Sequence, residues 1–434
     1  MSLKGALLPW VLSVPLYSQT GAVRVLVEFQ ATPSAPYSIA EFAPGKFVGA
    51  TNNFTPGGNV VYQIDSEGHY KTIATLTGTN DIPYIGLMAD GKLLGIWFDG
   101  RNKQHYFHLP LDGGDFEMLQ KPDGLSIVSQ WPFGVFGPGG GFYAPFRSFI
   151  GRMDITGNVK PVYRFQAGDG VPNPFSSFAM AQDGTFYGEN QLAAGSHFVY
   201  KVSPAGTLTK LAEIPNTGGP WAPLVATDDG TVYGAEAGGG TNKTGAIYKL
   251  TPAGQFSIAA VFPGAGLSQP ATLLVAGDGN LYGSTNSTPS AIFRMDTKSG
   301  KLEQVASSNG LLFRCPCRMI QGSDGKLYGT SQTGGAAGGG TIFSIDAGIP
   351  PPEPRLIRVS PSAGKVGTKI ELWGSCLLGT SSVTFGGVPV RVQDISVSSP
   401  NVVLAPVPVG AKSGTVEVRT KNGTAVSPIK FTVE

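Results

Sequence analysis

Asp324-Gly-Lys-Leu-Tyr-Gly329 is the clearest copy of a short phrase that recurs seven times along the first three-quarters of the chain. Each copy ends on glycine or, once, on alanine, and these end positions lie 44 to 49 residues apart. A regular spacing of this length, with several short strands in each unit, is typical of the blades of a β-propeller. The seven copies are Ala43–Gly49, Asp90–Gly95, Gly140–Ala144, Asp183–Gly188, Asp229–Gly234, Asp278–Gly283 and Asp324–Gly329.

The unit around Asp229 divides into four predicted strands, residues 222–227, 231–235, 246–250 and 256–262. Asp229-Gly230 and Thr251–Gly254 separate these apolar runs, and both are hairpin signals because glycine readily adopts the positive φ of tight turns. The third strand of most units carries an aromatic residue at one position, and we expect these rings to fill the space between neighbouring blades. These residues are Tyr62, Phe107, Tyr200, Tyr248, Phe293 and Phe343.

The two ends of the repeated region predict how the ring closes. After the third strand of the seventh unit, Ile342–Ile345, the chain enters Gly348-Ile-Pro-Pro-Pro and cannot form a fourth strand there. Val23–Phe29 has the same pattern as the fourth strand Phe256–Phe262. We therefore predict that residues 23–29 complete the last blade and that residues 23–348 form a seven-bladed β-propeller.

The repeated pattern resembles that of the bacterial GloVer tandem-repeat proteins. Asp-Gly-x-Leu-Tyr-Gly, a glycine-rich loop and Gly-x-Ile-Tyr/Phe follow one another most clearly in Asp229–Leu250 and Asp324–Ile345. The similarity extends over residues 23–349, although the first three units match more loosely and the third lacks the aspartate. Because such proteins are mostly secreted or attached to the cell surface, the resemblance implies an extracellular location rather than an activity.

A second domain follows the proline-rich linker of residues 349–354. Residues 355–434 read as about seven short strands, which predicts an immunoglobulin-like β-sandwich. Gly367–Gly374, Val383–Gly387 and Pro408–Gly414 resemble an IPT/TIG domain over its whole length. The predicted fold class is therefore all-β, a seven-bladed propeller followed by an IPT/TIG sandwich.

Composition excludes several classes of protein. Charged residues make up 14% of the chain and the net charge is +2, so we expect no nucleic-acid partner. Residues 1–22 combine Lys4, an apolar stretch and small residues near Ala22, and they predict a signal peptide. The alternative is a buried N-terminal strand. The apolar stretch is too short to span a bilayer, so no membrane span is expected.

Cysteines and histidines are too sparse to suggest a cofactor. Of the three cysteines, Cys315 and Cys317 could pair or stay free, and Cys376 is expected to be a small core residue. His105 and His108 share a predicted strand but point to opposite faces, and His69 and His197 lie in other units, so the four histidines give no set of ligands for zinc. No catalytic residue, metal site or cofactor is predicted.

Long loops between the second and third strands, and between blades, are expected to lie on one face of the ring. Aromatic rings beside amides and charged groups in such loops suit a glycan or peptide ligand. The alternative for the tryptophans is that they pack between blades. The candidate ligand-binding residues are Trp97, Asp99, Arg101, Trp131, Arg147, Glu189, Asn190, Trp221, Glu236 and Arg318.

Three hypotheses about function follow. The leading one is a secreted or cell-surface binding or scaffold protein whose propeller recognises a glycan or an extracellular protein. The second is a carbohydrate-active hydrolase or lyase that uses Asp99, Glu189 and Glu236, because two carboxylates suffice for glycoside hydrolysis. The third is a structural envelope component without a ligand. The oligomeric state stays open.

Overall fold

A computed structural model gives the architecture of the chain. It describes residues 23–30, 35–51, 59–76, 79–88, 90–99, 104–119, 134–137, 141–146, 148–172, 178–181, 183–191, 197–214, 220–264, 266–308 and 312–434. Residues 1–22, for which a signal peptide is predicted, lie outside these ranges. Within the ranges, strands are joined by turns and one short 3-10 helix, Val392–Asp394, so the all-β prediction is confirmed.

The strands of the first domain are β1 Val23–Glu28, β2 Pro36–Ala43, β3 Lys46–Thr51, β4 Asn59–Asp65, β5 Tyr70–Leu76, β6 Thr79–Leu87, β7 Leu93–Asp99, β8 Gln104–Leu109, β9 Glu117–Leu119, β10 Val135–Phe136, β11 Phe142–Phe146, β12 Phe149–Met153, β13 Val159–Arg164, β14 Val171–Pro172, β15 Ala179–Met180, β16 Phe186–Gln191, β17 His197–Val202, β18 Leu208–Ile214, β19 Pro220–Ala226, β20 Val232–Glu236, β21 Ala246–Leu250, β22 Phe256–Val261, β23 Pro270–Val275, β24 Leu281–Thr285, β25 Ser290–Met295, β26 Leu302–Ser308, β27 Arg314–Gln321, β28 Leu327–Thr333 and β29 Thr341–Ile345.

These strands form antiparallel sheets that follow one another along the chain. In the described residues, β2–β5, β6–β9, β10–β13, β14–β18, β19–β22 and β23–β26 make sheets 1 to 6, and β27–β29 together with β1 make sheet 7. β1 pairs with β29, from Val23 opposite Ile345 to Glu28 opposite Thr341. The N-terminal strand therefore covers the outer edge of sheet 7, and β27 lies at its inner edge.

Hydrophobic clusters join each sheet to the next. Phe107 of sheet 2 packs with Val61 of sheet 1, and corresponding clusters connect the following pairs up to sheets 6 and 7. A further cluster places Tyr62 of sheet 1 against Tyr328 and Ile342 of sheet 7. This closed order of packing is that of a β-propeller, and we infer from it that the ring has seven blades.

In every sheet of the propeller except sheet 3, the aromatic residue of the third strand lies over a glycine of the second strand. Tyr62, for example, is opposite Gly49, and Phe107 is opposite Gly95. A Cβ added to Gly95 would overlap the Phe107 ring, and the corresponding glycines of sheets 4 to 7 meet their rings in the same way. The rings also lie in the clusters between sheets, so the Tyr-Gly phrase and the aromatic position form one packing unit.

Sheet 3 uses a different arrangement. Ala144 occupies the position of the glycine, and Gly151 lies opposite it on β12. A Cβ added to Gly151 would come within 2.6 Å of the Phe146 ring and 2.7 Å of the Phe149 ring. These two rings stack on each other with centroids 4.8 Å apart. The third copy of the phrase is therefore irregular because its glycine lies on the third strand, β12, instead of on the second strand, β11.

The strands of the second domain are β30 Arg355–Ser360, β31 Ala363–Gly364, β32 Lys369–Ser375, β33 Ser382–Phe385, β34 Val388–Pro389, β35 Ser396–Ser399, β36 Val402–Pro406, β37 Val416–Thr420, β38 Gly423–Val426 and β39 Thr432–Val433. They form a sandwich of two four-stranded sheets, β30-β32-β36-β35 and β34-β33-β37-β38. Its core contains Leu372, Val383, Phe385, Val403 and Val418, all fully buried.

The sandwich is docked on the propeller by specific hydrogen bonds. The side-chain amide of Asn422 donates to the carbonyl oxygen of Ser323 at 2.8 Å and to that of Pro352 at 3.3 Å. Gln321 accepts from the amide of Gly277 at 2.7 Å and donates to the carbonyl of Pro350 at 3.0 Å, which holds the linker against sheets 6 and 7. An exposed ion pair joins Arg355 to Asp228.

We expect Asn422→Ala to weaken the free energy of docking between the two domains by about 1–2 kcal/mol, because a part-buried carbonyl loses its hydrogen-bond donor. Arg355→Ala should change it by less than about 1 kcal/mol, because exposed ion pairs contribute little. Hydrogen exchange of the Ser323–Gly325 turn, followed by mass spectrometry, measures both effects. If hydrogen exchange of this turn accelerates equally in the two variants, Asn422 contributes no more to docking than the exposed ion pair does.

Candidate functional site

The two ends of the sheets differ in what covers them. We call the end with the turns between first and second strands the turn face, and the end with the loops between second and third strands the loop face. The second domain and the linker lie on the turn face, where Gly379 lies against Pro44 and Asn422 bonds to Ser323. The described loops of the loop face are residues 237–245, 286–289 and 334–340.

A cavity of about 310 Å³ lies in the channel at the turn face, beneath the second domain. Its walls come from the inner strands of sheets 1, 2, 3 and 7, and its cover comes from the second domain. The inner strands contribute mainly apolar groups, including Ile39, Ile85, Leu87, Phe136 and Ile320. The cover contributes Ser375, Cys376, Leu378, Pro400, Asn401 and Asn422.

Two charged residues line this cavity, and they differ in their partners. The carboxylate of Glu41 accepts from the Gly45 amide, the Ser323 amide and the Ser323 hydroxyl, each at 2.8 Å. Burial raises the pKa of Glu41, and these hydrogen bonds oppose the rise. The guanidinium of Arg318, on the inner strand β27, makes no hydrogen bond or ion pair with another residue that the structure describes. Within the part of the chain that the structure describes, this guanidinium is therefore not paired with a carboxylate, although Glu41 lines the same cavity.

A second group of polar residues lies between sheets 4 and 5. Glu189 is 2% exposed and accepts a hydrogen bond from the Tyr248 hydroxyl. Burial raises the pKa of Glu189 to about 7, the negative charge of Glu236 adds to this rise, and the Tyr248 hydrogen bond opposes it. Burial and the same two carboxylates raise the pKa of Tyr248 well above its ordinary value. This cluster is part of the packing between blades.

Those predicted site residues that the structure describes lie in strands rather than in exposed loops, which corrects their placement in the sequence prediction. Glu189 and Asn190 are in β16 and Glu236 ends β20, and all three are buried. The Asn190 side chain donates to the carbonyl of Asp169 at 2.6 Å. The reason is that the second strands continue for two or more residues beyond the Tyr-Gly phrase, so these side chains are still inside the blades.

Trp97 lies in β7 and is half-buried. Its indole stacks on His105 with ring centroids 4.2 Å apart and packs against the cluster between sheets 1 and 2. Trp221 is in β19, Asp99 ends β7, and Arg318 is in β27. The side chains of Asp99 and Trp221, and the whole of Arg101, Trp131 and Arg147, lie outside what the structure describes. The structure thus brings together Glu189 and Glu236, and it places Arg318 at the cavity.

Sequence reasoning did not find the residues that form the cover of the cavity. Asn401, Asn422 and Cys376 belong to the second domain, and nothing in the repeat pattern points to them. Cys376 is half-buried rather than a core residue, it has φ 56°, and burial raises the pKa of its thiol. Glu41 could have been noticed, because it is a carboxylate in an inner strand, Pro36–Ala43, that otherwise carries no charge.

The described part of the chain contains no group of three or more His, Cys, Asp or Glu side chains placed to hold a metal ion. It also contains no helix long and apolar enough to cross a membrane.

Fold and packing define a β-propeller that carries an immunoglobulin-like domain, an architecture that indicates a binding or scaffold role. Residues 87–291 match the family model of the Gloeobacter/Verrucomicrobia repeat. Residues 354–433 match the IPT/TIG domain. Both matches confirm the resemblance predicted from the repeated phrase and from the second domain. No curated protein matches the sequence.

Solved structures support the fold alone, because their identities are low. PorZ, a surface component of the type-IX secretion system of Porphyromonas gingivalis, is 13% identical with a TM-score of 0.51, over 94% of this chain and 61% of that one. A fungal alcohol oxidase of the AA5 family, solved with copper, is 12% identical with a TM-score of 0.50, over 95% of this chain and 99% of that one. Puromycin hydrolase is 11% identical with a TM-score of 0.50, over 80% and 60% of the two chains.

Proposed function

We propose that this chain is a non-catalytic binding protein, secreted or held at the cell surface, whose loop face recognises a glycan or an extracellular protein. The observation that supports it most is the position of the IPT/TIG domain. Because that domain and the linker cover the turn face, a large ligand meets the propeller at its other end. Residues 1–22, as a signal peptide, would direct the chain out of the cell.

The described loops of the loop face carry groups that suit such a ligand. Asn242 and Lys243 are exposed on the loop of residues 237–245. An amide exchanges hydrogen bonds with sugar hydroxyls or peptide groups, and an ammonium pairs with carboxylates. Asp99, Arg101, Trp131, Arg147 and Trp221 stay in this proposal as candidates from the sequence.

The buried carboxylates do not favour the hydrolase alternative. A general acid must come within hydrogen-bond reach of the glycosidic oxygen. Glu189 is 2% exposed, and one of its oxygens accepts from Tyr248 inside the protein. A raised pKa without access to substrate is explained by burial between blades.

Glycan arrays and arrays of extracellular proteins, probed with the full chain, test the proposal. We expect Asn242→Ala combined with Lys243→Gln to weaken binding at least about tenfold, as the loss of one charge-assisted contact would. Asn158→Ala combined with Lys298→Gln is the matched control. Both of those residues are exposed on turns between third and fourth strands, at the turn face, and binding should change less than about twofold.

Three outcomes would contradict the proposal. Equal losses in both double variants would show that binding does not depend on the loop face. Turnover of a polysaccharide that disappears in Glu236→Gln would establish the enzyme hypothesis instead. If the chain binds nothing on the glycan array and nothing on the protein array, a structural role in the envelope would be supported instead.

A further inference from the structure

The cavity at the turn face suggests a second binding site, independent of the loop face. Its volume of about 310 Å³ is at the lower end of the range found for small-molecule pockets, which often occur where two domains meet. It is formed by four inner strands on one side and by the IPT/TIG domain on the other. A large glycan or a folded protein does not fit in this space.

The charged residues of the cavity indicate the sign of the ligand's charge. Arg318 supplies a guanidinium, and no described carboxylate pairs with it. Glu41 is the other charged residue of the lining, and three hydrogen bonds to Gly45 and Ser323 hold its carboxylate at the turn. A partly buried cation without a counter-ion is stabilised by an anion that can accept its hydrogen bonds.

The other residues that line the cavity indicate the chemical character of the rest of the ligand. Ile39, Ile85, Leu87, Phe136 and Leu378 supply apolar surface around Arg318. Burial of apolar surface favours a ligand whose larger part is hydrocarbon. The NH2 groups of Asn401 and Asn422, on the cover, donate to carbonyl oxygens of the protein, and their side-chain oxygens can accept from a donor group of the ligand.

We propose that the cavity between the propeller channel and the IPT/TIG domain binds a small amphipathic anion, with its acidic group on Arg318 and its apolar body between the inner strands. The domain interface is then a ligand-binding site as well as a structural joint. This inference does not depend on what the loop face recognises.

Fluorescence titration with two related dyes tests this proposal on the full chain. The first dye is 8-anilinonaphthalene-1-sulfonate, an apolar anion, and the second is N-phenyl-1-naphthylamine, the same aromatic body without the sulfonate. We expect one sulfonate dye to bind per chain and Arg318→Gln to weaken it at least about tenfold, with the neutral dye changed less than about twofold. Arg318→Lys should retain most of the sulfonate affinity.

Two further variants locate the site. Arg164→Gln removes an exposed arginine of sheet 3 that lies outside the cavity, and it should leave both dyes unchanged. Ser375→Phe places a ring in the cavity from its cover, and it should abolish binding of both dyes while the thermal midpoint confirms folding.

The proposal is overturned if Arg318→Gln binds the sulfonate dye as wild type does, or loses both dyes equally while folded. It is also overturned if Ser375→Phe still binds both dyes, because the dyes then bind elsewhere. If wild type binds neither dye, the cavity is not a site for amphipathic anions.

Discussion

Glu189→Gln is expected to stabilise the protein at pH 8 by an amount on the order of 3 kcal/mol. The pKa of Glu189 rises to about 7 in the folded protein, from an ordinary value of 4.5, chiefly because the carboxyl is buried. A carboxyl with a raised folded pKa stabilises the fold below pH 4.5, where it is protonated in both states. This stability is lost as the pH rises from 4.5 to about 7, because the unfolded chain ionises first.

Urea unfolding of wild type and Glu189→Gln between pH 4.5 and 8.5 measures this effect. The glutamine oxygen can still accept from the Tyr248 hydroxyl, so the two proteins should be nearly equal at pH 4.5 and diverge as the pH rises. Glu213→Gln, which changes an exposed glutamate of β18 in the same sheet, is the control and should follow wild type. Parallel curves for Glu189→Gln and wild type would show that the carboxyl does not titrate in the fold.

Gly95→Ala is expected to destabilise the propeller by about 3 kcal/mol, at the upper end of the usual range for overpacking. The added methyl group would overlap the ring of Phe107, which is fully buried between sheets 1 and 2. Neither β7 nor β8 can move away easily, because each is paired on both sides. The midpoint of thermal or urea unfolding measures the loss.

A double-mutant cycle with Phe107→Ala identifies the cause. Phe107→Ala alone leaves a cavity and should cost about 3–5 kcal/mol. In the double variant the methyl group occupies part of that space. The loss of stability of the double variant should therefore be clearly smaller than the sum of the losses of the two single variants. Additive costs would mean that the Phe107 ring is not what the methyl group meets.

The repeat was readable from sequence because turns and packing each leave a local mark. Asp-Gly predicts the hairpin directly, since Gly230 has φ 79° and the Asp229 carboxylate accepts from the Thr231 amide at 2.9 Å. The aromatic position was also predicted to fill the space between blades, and the clusters confirm it. The pattern did not indicate that Gly234 lies opposite Tyr248 and that a Cβ at this position would overlap the tyrosine ring.

The candidate site was harder to predict, for two physical reasons. Polar residues at strand ends look like loop residues, and only the sheet pairing shows that Asn190 is opposite Phe198 inside sheet 4. The cavity depends on contacts between domains, and these rest on individual residues such as Asn422 rather than on a repeated pattern. Arg318 was selected for its charge, and its position in the channel wall follows from the inner place of β27 in sheet 7.

The pairing of β1 with β29 has a consequence for the order in which the protein folds. Residue 28 meets residue 341, so β1 waits until almost the whole propeller has been synthesised. Joining such distant segments carries a large loss of chain entropy and slows folding. We therefore expect the last step of folding to be the meeting of the two ends, and a chain shortened from its N-terminus beyond residue 28 to leave β29 as an open, aggregation-prone edge.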